Sequence, residues 1–178
     1  PFETFDMPAF ELPSDFDNAR LNAILTHLGG QVDRPEWAGI ASAFNGVAYR
    51  FRAAAEADDN FTASIGAPGA GHLIAEERYK QENALFSFFV NGTSALEAFY
   101  YGFNLIGAIL KPHKFPAEDA KALRLHPKEI AKRYKSAYTG NQFTIKLEEC
   151  LGMKDFLTLI EYRDMYIHRG NLPRHHYG

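Results

Sequence analysis

The sequence predicts an all-α fold, an up-and-down helical bundle, and three observations carry the prediction. Apolar residues recur at the helical period of about 3.6 residues through most of the chain. Runs of β-branched residues are few, and no Asn-Gly or Asp-Gly hairpin separates alternating segments. Helix stop signals (Gly29-Gly30, Lys111-Pro112, and Gly170 with Pro173 beyond it) punctuate the periodic stretches. The 178 residues fit one domain, and 46% hydrophobic content with 14% aromatics is enough for a sizeable core.

Residues 1–13 carry Pro8 and Pro13 and read as an extended N-terminal arm. Ser14 and Asp17 suit a helix start, opening a short helix with Phe16, Leu21, Ile24, Leu25 and Leu28. A second helix begins at Pro35, a residue suited to a first helical turn. It runs through Trp37, Ile40, Phe44, Val47, Ala48 and Phe51 to about Asp58. From Asp58 to Gly71 the pattern reads as a loop. Its glycines have no strand before them and no Lys-Ser or Lys-Thr after them, so they do not make a phosphate-cradling loop.

The third helix is expected from His72 to Leu110, with a bend at Gly92. Between Ala84 and Leu110 its sole charged residue is Glu97, and such a length could span a bilayer. Asn91, Thr93, Ser94, Glu97 and Asn104 are spread along it, however, and no second span exists. It therefore reads as a central helix covered by its own bundle and a partner subunit. A shorter helix follows from Ala117 to Leu125, His126-Pro127 restarts the chain, and helices are expected at Lys128–Tyr138 and Lys154–Arg169. One domain thus covers 14–172, and 173–178 form a tail containing His175 and His176.

A net charge of -3 argues against a chain that coats nucleic acid over its whole surface. From Lys111 to Lys135, however, eight Lys or Arg face three Asp or Glu. Lys128, Lys132 and Arg133, beside Tyr134 and Tyr138, are candidate RNA contacts there, and Arg169 is another. Cys150 is the single cysteine, which excludes an internal disulfide and fits a reducing cytoplasm. The opening residues have neither a basic n-region nor an apolar h-region, so no signal peptide is expected. His72, His113 and His126 lack ligand spacing and no Glu-x-x-His pair occurs, so no metal or other cofactor is assigned.

The sharpest feature is Arg163. With Phe156, Ile160 and Ile167 it falls along one face of the last helix, the row a packed helix buries. Arginine does not shed its charge, so this position demands a carboxylate from the fold or an anionic ligand. Asp164 and His168 are four residues apart and share a face, where the carboxylate can orient the imidazole. An Arg with a His is the minimal equipment for cutting RNA without a metal: one moves protons, the other stabilises charge on phosphoryl oxygens. On one ideal helix the two lie about 140° apart, so convergence needs a second copy of the helix across a two-fold axis.

Arg163, Asp164 and His168 resemble the Arg-x4-6-His motif of the HEPN superfamily, in its form of Arg, a polar residue, three further residues and His. The aromatic-rich helix from Phe86 to Leu110, the basic helix at Lys128–Lys135 and the C-terminal motif are similar in order to that family's bundle, over about residues 72–172. The resemblance implies a homodimeric, metal-independent endoribonuclease of toxin, defence or stress systems. In it Arg163 and His168 would be catalytic and Asp164 supporting, with RNA and an antitoxin or regulatory protein as partners. Many members are instead non-catalytic modules that bind RNA, a nucleotide or a protein. Gly170 stands where one toxin subgroup carries a modifiable Tyr two residues after the His, which argues against that subgroup.

Overall fold

The computed structural model describes residues 35–65, 75–116 and 126–168, together with helical positions 19, 23, 26 and 27. The described residues form five helices and no strand: α1 Pro35–Ile65, α2 Ala75–Leu110, α3 Pro127–Ala137, α4 Gln142–Gly152 and α5 Lys154–His168. The expected arm, the helix at Ala117–Leu125, Arg169 and the tail lie outside the described residues.

In α1, Ile40, Ala43, Phe44, Val47 and Ala48 recur at three- and four-residue steps and are buried, as are Ala54 and Ala57 beyond Phe51, which is exposed. They meet α2 in an antiparallel hairpin: Phe44 packs on Phe99 and Phe103, further along α1 Arg50 Nη1 donates to Ser94 O at 3.1 Å, and Ser64 O accepts from Gln81 Nε2 at 3.4 Å. This last contact corrects the expected loop, since α1 continues through 58–65. The polar residues Asp58, Asp59 and Asn60 are exposed, while Phe61 and Ser64 extend the inward row begun by Ala57.

α2 is the hub, packed against α1, α3 and α5. On one side Ile40, Phe44 and Val47 cluster with Ala98, Leu105, Ile106 and Ile109. On the other, Tyr100 and Ala108 cluster with Phe115, Ile130, Ala131, Tyr134, Leu147 and Leu151. A Cβ on Gly107 would stand 2.6 Å from Phe115 Cδ1, so only glycine lets that ring sit flush against the helix. The polar residues of this apolar helix find partners close by. Asn91 Nδ2 donates to Ser87 O at 2.9 Å, and Thr93 Oγ1 donates to Phe89 O at 2.7 Å. No described helix is long and apolar enough to cross a membrane. α2 also runs unbroken through Gly92, which receives Leu159 of α5.

Two buried tyrosines tie the short helices to α2. Tyr100 Oη donates to Leu147 O at 2.9 Å, and Tyr134 Oη donates to Phe103 O at 2.6 Å. Burial pushes the Tyr100 hydroxyl up to about 12 and raises that of Tyr134 well above the ordinary tyrosine range. α4 is a helix the sequence pattern did not single out. Its Asn141 side chain caps it by accepting from Phe143 N at 2.8 Å, after Gly140 turns the chain at a φ of 75°. Met153 alone separates α4 from α5, so the chain turns sharply into the last helix.

Candidate functional site

α5 lies along α2 through a seam of aromatic rings and charges. Tyr162 stacks on Phe89 with ring centroids 5.0 Å apart, and Tyr166 stacks on the same ring at 5.6 Å. Leu159 closes on Gly92, and Phe156 packs against the second cluster. The seam is nevertheless shallow. No α5 residue is fully buried, and Leu157, Tyr162 and Ile167 are exposed. The expected burial of the Arg163 row is therefore only half met within one chain: Phe156, Ile160 and Arg163 are half-buried.

Glu97, the lone charge of the apolar part of α2, supplies the counter-charge that Arg163 demands. Its Oε1 lies 3.8 Å from Arg163 Nη2, and the Arg163 side chain retains 23% exposure. Asp164 Oδ1 lies 2.9 Å from Arg163 Nε. That nitrogen is buried yet has no hydrogen bond, so Asp164 makes a contact ion pair with its N–H misaligned. Sequence spacing turns Asp164 towards His168, but in the structure it leans on Arg163, and among the described residues no ion pair joins it to His168. His168 is exposed in the last turn of α5, and Glu161 is exposed one turn before Asp164.

The basic surface is more committed than its composition suggests. Lys128 and Lys132 are exposed, but Lys132 Nζ donates to Glu129 Oε1 at 2.8 Å. Arg133 turns inward, and its Nη1 donates at 3.2 Å to Oδ1 of the fully buried Asn104. Lys111 Nζ donates to Ala137 O at 2.7 Å and sits over the Tyr138 ring, capping the end of α3. Lys135 pairs with Glu148 and links α3 to α4. Arg169 lies outside the described residues.

A groove of about 460 Å³ between α1 and α2 is lined by residues including Ala57, Ala84, Asn60, Asn83 and Asn91. The charged Glu56 and Lys80 on its walls are paired with Arg52 and Glu76. Among the described residues no three His, Cys, Asp or Glu side chains come together as a metal set. Comparison with known proteins finds no match to a family model, to a curated protein or to a solved structure.

Proposed function

We propose that this protein is a metal-independent endoribonuclease of HEPN type, cutting single-stranded RNA with Arg163 and His168. The observation that carries this reading is Arg163 itself. A guanidinium is kept half-buried in the α2–α5 seam although neither of its carboxylate contacts has hydrogen-bond geometry, on the same helix that presents His168 to solvent. The Nε is buried against Asp164, so the Nη donors are the ones held in place without being used up, as an oxyanion-binding group requires.

In the reaction the RNA 2′-oxygen attacks the adjacent phosphorus while the bond to the 5′-oxygen breaks. One His168 imidazole takes the 2′-hydroxyl proton, the protonated imidazole of the second copy supplies a proton to the departing 5′-oxygen, and the guanidinium stabilises the pentacoordinate phosphorane. Because the two side chains diverge on one helix, a homodimer that pairs two copies of α5 completes each site. The half-exposed apolar face of α5, with Leu157 and Ile167 open, suits such pairing.

The test is incubation of the pure protein with a mixed single-stranded RNA pool in EDTA. The expected products carry a 2′,3′-cyclic phosphate and a 5′-hydroxyl, and DNA of the same sequence, lacking the internal nucleophile, survives. His168→Ala abolishes cutting. Intact RNA, or equal cutting by His168→Ala, returns the protein to a second reading, a non-catalytic HEPN-like binding module. The compensation of Arg163 by two carboxylates favours that alternative, because charges paired within the chain also serve structure.

A further inference from the structure

Resting on the ribonuclease reading, we propose that Glu97 is the residue that positions Arg163 for the reaction, holding the guanidinium in register with the core of the molecule. Glu97 differs from the uncharged polar residues around it on α2. Asn91 and Thr93 bond the backbone of their own helix, and the Asn104 carbonyl accepts from Arg133 of α3 while its Nδ2 has no hydrogen bond, whereas the Glu97 carboxylate is aimed at α5. Its side chain keeps 39% exposure, and it is the one charge between Ala84 and Leu110, placed on α2 where it reaches the guanidinium of α5.

The two carboxylates on Arg163 do different work. Asp164 rides on the same helix, so it moves with Arg163 and fixes nothing relative to the rest of the fold. Glu97 belongs to α2, between the buried Ala95 and Ala98 and one turn from Tyr100, whose hydroxyl is bonded to Leu147 O. It is therefore the contact that transmits the rigidity of the core to a guanidinium on a lightly packed helix. At 3.8 Å from Nη2 it acts through charge rather than by occupying a donor, which leaves the Nη groups for phosphoryl oxygens.

The experiment is steady-state cleavage of a short single-stranded RNA by the full chain carrying Glu97→Gln, Glu97→Asp, Arg163→Ala, or Glu97→Gln with Arg163→Ala. Loss of positioning lowers kcat of Glu97→Gln by roughly 10- to 100-fold, the scale on which a small misplacement acts. KM stays level or falls, because a negative charge near the substrate phosphate is removed. Glu97→Asp keeps the charge but retracts it, and its kcat falls between the two. Added to Arg163→Ala, Glu97→Gln causes no further loss.

Cutting at the wild-type rate by Glu97→Gln overturns the role of Glu97 alone. So does an equal further loss in the Arg163→Ala background, the mark of a merely structural contribution. If Glu97→Gln loses its helical signal, Glu97→Asp decides, and an unchanged kcat there is the negative result. A wild-type protein that leaves RNA intact overturns the ribonuclease reading and this role together.

Discussion

The C-terminal half of α2 and the whole of α5 are both rich in apolar residues, yet they are packed in opposite ways. From Tyr100 to Ile109 almost every residue of α2 is buried, enclosed by α1 on one side and by α3, α4 and the 111–116 turn on the other. α5 has no fully buried residue and meets the molecule through two stacked tyrosines, one leucine on a glycine, Phe156 on the second cluster and an ion pair. The first region is specified by shape and carries stability. The second is held by a few directional contacts, which leaves Leu157, Ile167 and His168 exposed.

Breaking the enclosed region should have the largest effects. Phe115→Ala removes a fully buried ring and should destabilise by about 3–5 kcal/mol in urea unfolding. Gly107→Ala drives a methyl group into the same ring and should cost about 1–3 kcal/mol. The buried tyrosines add a pH signature. The unfolded Tyr100 hydroxyl ionises near 10 while the folded one is held up to about 12, so the stability due to its burial is complete below pH 10 and is lost as pH rises through 12. Melting temperature should decline across that window, and Tyr100→Phe should flatten the decline.

Effects on the lightly packed surfaces should be smaller and should appear in binding. Lys128→Glu with Lys132→Glu should weaken RNA binding and make its salt dependence shallower by roughly one to two units, with helicity unchanged. Arg133 is best left intact in that variant, because replacing it strands the buried carbonyl of Asn104. Leu157→Ala, at a residue 47% exposed, should change monomer stability by less than about 0.5 kcal/mol. If it also shifts a dimer towards monomer in light scattering, the open face of α5 is the self-association surface.

Much of this contrast was legible in the sequence, and the misses have local causes. The start of α1 at Pro35, the end of α2 at Lys111-Pro112 and the buried row of α1 follow from period and stop signals. The last two turns of α1 were hidden because Asp58-Asp59-Asn60 reads as a loop when only apolar residues are counted, although Phe61 and Ser64 keep the row going. α4 is faint in the sequence, although Asn141 is a strong cap and Thr144, Leu147 and Leu151 share a face, because the helix is short and bounded by glycines. The need of Arg163 for a counter-charge could be read from its place in an apolar row. That Glu97 meets it could not, since pairing residues so far apart requires the fold. Nor does spacing decide whether Asp164 leans on Arg163 or on His168, which is a matter of rotamer and of where α2 lies.

The most direct measurement pairs thermal unfolding with RNA cleavage for Arg163→Ala. If Arg163 on the open helix serves the reaction, cutting falls by about 10²- to 10³-fold, while the melting curve, set by the enclosed half of α2, moves by only a few degrees. A variant that melts far lower yet cuts RNA at the wild-type rate per folded molecule would contradict the account and make the Arg163–Glu97 contact a structural clasp.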